Sequence, residues 1–112
     1  MVNDIINQKI ETFRDLHKQS STFILPNAWD PISAKMFQDS GFKAIGTTSA
    51  GIAIAQGYPD GQKIPVQKMI DITKDIVDSV DIPVSADIEA GYGTTVEEVR
   101  DMVQRVMDIG VV

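Results

Sequence analysis

The order of the apolar runs most constrains what this chain can fold into. Three short runs, "TFILP" (22–26), "FKAIG" (42–46) and "IPVSAD" (82–87), are each followed by a segment with helical spacing. Strands separated by helices pair in parallel, because parallel neighbours need a crossover while antiparallel ones need only a tight turn. Two architectures satisfy that order: a small open parallel α/β sheet, or consecutive units of a (β/α)8 barrel. A barrel typically takes about 200 residues or more, so these 112 residues supply less than half of one.

Punctuation between the runs sets the expected boundaries. Residues 4–19 read as a leading amphipathic helix, with Asn3 as N-cap and Ile6, Ile10, Phe13 and Leu16 along one face. In "NAWDPISAKMFQDSG", Asp30 caps, Pro31 takes the first helical position and Gly41 stops the helix. Its expected buried stripe is Ile32, Met36 and Phe37. The next connection, "TTSAGIAIAQGYPDGQK" (47–63), exceeds the roughly 2–6 residues of an ordinary strand-to-helix link and reads as a functional loop. Pro65 opens a helix whose Val66, Met69, Ile70, Thr73, Ile76, Val77 and Val80 repeat at helical spacing. The last helix lies in "GTTVEEVRDMVQRVMDIG", with Thr94 and Glu97 spaced as a capping box. Val96, Val99, Val103 and Val106 are expected inward, Gly110 ends the helix, and "VV" begins a further apolar run.

Composition removes several function classes. Sixteen acids against ten bases give a net charge of -6, whereas binding a phosphate backbone needs clustered Lys and Arg. The absence of cysteine excludes disulfides, a thiolate nucleophile and Cys-ligated zinc. No run approaches the roughly 18 apolar residues of a membrane span, and the charged start lacks a signal-peptide core. A cytoplasmic domain with neither nucleic acid nor membrane as partner is the expectation.

In both architectures ligands gather at the carboxyl ends of the parallel strands. Three patches fall there: "NAWD" (27–30), "TTSAG" (47–51) with "GYPDG" (57–61), and "DIEAGYG" (87–93). Asp87 and Glu89, two apart in an extended segment, share a side and offer hard oxygens. Mg²⁺ is suited by one or two carboxylates with water and an anionic substrate completing its shell. Spacing alone leaves an acidic solvated turn and a metal site equally open. Hydroxyls and unhindered N–H groups in "TTSAG" suit a carboxylate or phosphate oxygen, with small-residue packing as the alternative. Asp60 reads as a turn former by itself. The single histidine, His17, lies on the leading helix and suits a surface or helix-packing role. Trp29 walls a pocket or joins the core, and Glu97 and Glu98 serve the last helix's cap and dipole.

Taken together, "LPNAWDPISAKMFQDSGFKAIGTTSAGIAIAQGYPDG" and "IPVSADIEAGYG" resemble the phosphoenolpyruvate mutase/isocitrate lyase superfamily, from about Phe23 onward in matching order. The resemblance implies a leading helix (1–20) and, over 22–112, about three and a half βα units of a TIM-type barrel, truncated at strand four. It also implies an oligomeric, Mg²⁺-dependent lyase or mutase, with Mn²⁺ as a substitute. Such enzymes make or break a C–C or P–C bond beside a carboxylate through an enolate-like intermediate, on a small carboxylate or phosphonate substrate. Matched residue by residue, Thr48, Ser49 and Ala50 fall on the loop that holds the substrate carboxylate. Asp60 falls on the acid of the gating segment, with a catalytic role, Asp87 on the principal metal-linked carboxylate and Glu89 on its companion. Glu89 is longer than the Asp often found there, and "TTSAG" replaces a Ser-Gly pair. The lyases' Lys-, Cys- and His-bearing loop has no counterpart in these residues, so the chain alone is expected to be inactive. A 2-oxo acid hydrolase or decarboxylase on the same scaffold, and a non-catalytic ligand-binding or interaction module, are the alternatives.

Overall fold

Strands β1 (Asn27–Ala28), β2 (Ile45–Thr47) and β3 (Val84–Ser85) stand side by side in chain order in the computed structural model, which describes residues 2–112. All neighbours are parallel, with Asn27 opposite Gly46, Ala28 opposite Thr47, Ile45 opposite Val84 and Gly46 opposite Ser85. Five helices surround them: α1 (Val2–Lys18), α2 (Pro31–Asp39), α3 (Ser49–Ala55), α4 (Val66–Ser79) and α5 (Val96–Asp108). The Val112 N–H donates to the Val84 carbonyl at 3.0 Å, so "VV" begins to line up beyond β3.

The first ladder begins later than the apolar pattern suggests. Residues 22–26 carry no strand pairing, and β1 starts at Asn27. Pro26 has no N–H to give a ladder; its carbonyl accepts from Gly46 N at 2.8 Å and thereby starts the pairing. Gly46 lies close under the Asn27 side chain: a Cβ there would stand 2.5 Å from Asn27 Oδ1, so that side chain would have to move.

Among the described residues the larger of two apolar clusters is built on Ile45, Ile52, Met69, Ile76 and Val84, and a smaller one joins Ile70 of α4 to Met102 and Val106 of α5. Full burial of such a side chain contributes about 1.5–3 kcal/mol. Helix α4 follows the expected rhythm, burying Met69, Ile70, Thr73, Ile76 and Val77. The Thr73 hydroxyl satisfies itself inside the helix by donating to the Met69 carbonyl at 2.8 Å.

Helix α2 is capped as expected but rotated. Asp30 accepts from Ser33 N at 2.8 Å, while Ser33 Oγ accepts from Trp29 N and Asp30 N, with Pro31 in the first turn. That box turns Ser33 and Ala34 inward with Phe37 beside the core, and leaves Ile32 and Met36 exposed. Likewise, α5 is capped one residue later than expected: Thr95 with Glu98, not Thr94 with Glu97. Its buried residues are Met102 and Val106, with Val99 half-buried, while Val96 and Val103 face solvent. Helix α1 begins at Val2, so Asn3 lies within it rather than capping it.

The long connection is not a plain loop. Its first half forms α3, started by Thr48, whose Oγ1 accepts from Gly51 N at 3.1 Å. Burial of Ile52 and Ala53 holds the helix to the core. A run of small residues with Gly51 inside it hides this from a sequence reading, because glycine lowers helix propensity.

Helix α1 sits at the amino-terminal end of the sheet. One cleft separates Ile5, Lys9 and Leu16 from Lys43, Ile82 and Pro83, and another separates Ile6 from Val77, Val80 and Gly110. His17 is exposed on α1, with its ring edge-on to Phe13 and Phe23. Among the described residues no helix is long and apolar enough to cross a membrane.

Candidate active site

The loops that follow β2 and β3 meet through side chains 38 residues apart. Asp87 Oδ2 accepts from the Ser49 hydroxyl at 2.6 Å and from Ser49 N at 3.3 Å. The main chain is tied as well, with Asp87 N donating to Thr47 Oγ1 at 3.0 Å. Thr47 and Ser49 are buried, so β2 and the first residue of α3 form a fixed wall for Asp87. Glu89 N donates to Asp87 Oδ1 at 3.0 Å. Partial burial pushes the Asp87 carboxyl up, but the Ser49 hydroxyl and the Glu89 and Ser49 N–H groups outweigh it and hold the acid below its usual range. Hydrogen bonds to the charged form favour ionisation, so Asp87 is a fixed anion at neutral pH.

Beside it, Glu89 Oε2 accepts from Gln62 N and from the Tyr92 hydroxyl, each at 3.1 Å. Gln62 Oε1 in turn accepts from Tyr92 N at 2.8 Å. Burial, then the bond to Glu89, then the charges of Glu89, Asp87 and Asp60 push the Tyr92 phenol up to about 12. Tyr92 therefore stays protonated and remains a donor. The Glu89, Asp87 and Asp60 charges all act on the phenol in the same direction. The Asp60 side chain accepts from Gly61 N at 2.9 Å, within its own turn.

The expected site residues are thus brought to one end of the sheet with uneven connections. Ser49 is joined directly to Asp87, and Glu89 to the turn two residues beyond Asp60. Thr48 spends its Oγ1 on the helix cap, and the Ala50 N–H enters none of these bonds. Trp29 is half-exposed, with its Cβ 3.2 Å from where a Cβ on Gly51 would stand, so it borders this region rather than the core. The sequence reading gave no individual role to Thr47, Gln62 or Tyr92, although Thr47 and Tyr92 lie inside the patches it singled out. For Gln62 the only available signal was its place directly after "GYPDG"; Tyr92 was passed over inside "EAGYG" as part of a turn.

The donor set suits a hard divalent cation in part. A carboxylate has about four acceptor positions, and Asp87 uses three of them on protein donors. Glu89 Oε2 is engaged twice, whereas its Oε1 is outside these bonds. Among the described residues no group of three or more His, Cys, Asp or Glu side chains converges. Two partly engaged carboxylates fit Mg²⁺, which keeps water and substrate oxygens in its shell, better than an ion needing a full protein cage.

Comparison with known proteins places the chain in a family. A family model described as phosphoenolpyruvate phosphomutase matches residues 13–112. The chain belongs to the phosphoenolpyruvate mutase/isocitrate lyase superfamily. Within that superfamily, an uncharacterised protein of Mycobacterium tuberculosis is 38% identical over 100 residues, covering 89% of this chain and 38% of the relative. The 2-methylisocitrate lyase of Bacillus subtilis is 30% identical over 88 residues, covering 79% of this chain and 29% of the lyase. A candidate lyase/mutase structure from Burkholderia cenocepacia J2315 superposes with a TM-score of 0.91 at 38% identity, covering 97% of this chain and 38% of that one. At 23% identity, a phosphonopyruvate hydrolase solved with oxalate and Mg²⁺ shares the fold, with a TM-score of 0.85 over 92% of this chain and 36% of that one. The chain therefore spans about two fifths or less of these relatives' lengths. Its small parallel α/β sheet matches the superfamily's barrel fold.

Proposed function

We propose that residues 1–112 form a single partial domain, the amino-terminal part of a superfamily barrel, and carry the metal-side half of a lyase or mutase site. The substrate class is a small carboxylate or phosphonate. The reaction makes or breaks a C–C or P–C bond beside the carboxylate through an enolate-like intermediate.

The observation that carries this reading is the 2.6 Å bond from Ser49 to Asp87, which joins the matched substrate loop to the matched metal acid. Asp87 would hold Mg²⁺, with Glu89 as the companion acid. When bound there, the cation would supply Lewis-acid stabilisation of negative charge on the substrate oxygen. Electrostatics points the same way, since Asp60, Asp87 and Glu89 would repel an anionic substrate without a cation. Thr48, Ser49 and Ala50 would orient the substrate's carboxylate end, the Ala50 N–H being the donor not already spent on Asp87 or the cap. Asp60, on an exposed turn, would act as gate or proton carrier.

A cytoplasmic, homo-oligomeric enzyme fits this reading, and residues 1–112 by themselves would not turn over. Turnover by the purified chain would overturn that last point. For the metal site, Mn²⁺ is titrated into the protein with oxalate present, comparing wild type with Asp87→Ala. Loss of tight binding in the variant is expected, and equal affinity would sink the assignment. A 2-oxo acid hydrolase is the second reading, supported by the likeness to an oxaloacetate acetylhydrolase solved with oxalate, at 27% identity and a TM-score of 0.81.

A further inference from the structure

We propose that Glu89 is a positioning residue, strapping the turn that carries Asp60 onto the loop that carries Asp87 by way of Gln62 and Tyr92. Three bonds close a ring between these segments: Gln62 N to Glu89 Oε2 at 3.1 Å, Tyr92 hydroxyl to the same oxygen at 3.1 Å, and Tyr92 N to Gln62 Oε1 at 2.8 Å. One of them spans 27 residues and another 30, so the ring is tertiary structure and not a local turn.

The backbone supplies an independent observation. Among the described non-glycine residues, positive φ occurs at Gln62 (62°), Glu89 (53°) and Tyr92 (53°), the same three that close the ring. Residues with side chains persist in that conformation where their surroundings over-determine it. Here each of the three is held by bonds to the other two. Gly61 at 97° and Gly91 at 89° immediately precede Gln62 and Tyr92 and let the chain enter these turns.

Reach explains the longer acid. The Glu89 main chain is fastened to Asp87 Oδ1 and its carboxylate to Gln62 N, so the side chain bridges from one loop to the other. An aspartate at this position is one methylene shorter and leaves the bridge open. Asp60 lies two residues before Gln62 and bonds within its own turn, so its placement follows the strap. The strap's consequence for chemistry rests on the reading of Asp60 and Asp87 as parts of one site; the strap itself does not.

The test is amide hydrogen exchange by NMR on the full chain, for wild type, Glu89→Gln, Glu89→Asp and Tyr92→Phe. Glutamine keeps the length and an acceptor oxygen, while aspartate keeps the charge but not the reach. Gln62 N–H is expected to exchange roughly tenfold or more slowly than an unbonded loop amide, to stay protected in Glu89→Gln, and to lose protection in Glu89→Asp. Ile45, Gly46 and Thr48, bonded across the sheet, serve as internal controls and should not change. An unprotected Gln62 in wild type, or protection retained by Asp and lost by Gln, overturns the strap. Should a Glu89 variant also release the controls, Tyr92→Phe decides: faster exchange at Gln62 supports the strap and an unchanged rate overturns it. Failure of the Mn²⁺–oxalate titration at Asp87 with the exchange pattern intact would reject the site reading and leave the strap standing.

Discussion

At the amino-terminal end of the sheet, α1 lies over the approach to β2 and β3 with Ile6, Ile10, Phe13 and Leu16 half-buried. At the carboxyl-terminal end, Thr47, Ser49, Gln62, Asp87, Glu89 and Tyr92 are joined by hydrogen bonds, and three of them have left-handed backbone. Apolar burial is non-directional and tolerates small shifts, whereas hydrogen bonds fail over a few tenths of an ångström. The amino end can therefore be loosened with little chemical consequence, whereas a change at the carboxyl end is felt in the chemistry as well as in stability.

The comparison predicts a graded series. The sheet centre common to both ends should dominate: Ile45→Ala removes a fully buried side chain and is expected to cost about 2–5 kcal/mol. A denaturant melt should show a lower midpoint at unchanged slope. A cost below about 1 kcal/mol would mean that the core reorganises around β2. At the carboxyl end, Ser49→Ala should cost about 1–3 kcal/mol and also weaken Mn²⁺ binding, because Asp87 loses its 2.6 Å donor. Melting and titration on one preparation separate the two effects. At the amino end, Leu16→Ala should cost about 1 kcal/mol from half-buried area and leave Mn²⁺ affinity unchanged. A parallel loss of affinity would break the division between the ends.

The smallest effect is expected at the α5 cap. Bonds from Thr94 N and Thr95 N, then the Thr94 hydroxyl, hold the exposed Glu98 carboxyl below its ordinary 4.5. A lowered folded-state value means that its contribution is present above the ordinary value and is lost as pH falls through the lowered one. Acidification across that window should fray the start of α5, seen as faster exchange at its first amides. In Glu98→Gln the pH dependence should disappear.

Legibility followed the range of the interaction. Asp30–Pro31 and the α4 rhythm were readable because caps and helical faces are encoded within a few residues. The same locality failed by one position at α5, where Thr94 and Thr95 are both competent caps and the chain chose Thr95. Helix α2 was misjudged for another reason. Its most apolar residues, Ile32 and Met36, are not on the face toward the sheet, and close approach there uses Ser33 and Ala34 instead. In the site, Asp87, Glu89 and Ser49 were named from a motif. The bonds between Asp87 and Thr47 and between Glu89 and Gln62 span 40 and 27 residues, which no local pattern records, while the bond from Tyr92 to Glu89 spans only three.

The paired bonds of Asp87 carry one more consequence. Its N–H meets Thr47 at the end of β2, and its carboxylate meets Ser49 two residues on. In a strand, a slip of one residue turns every side chain to the opposite face, so a misaligned β3 would present Asp87 to neither partner. These polar contacts therefore also favour the native strand alignment, since only that pairing lets them close.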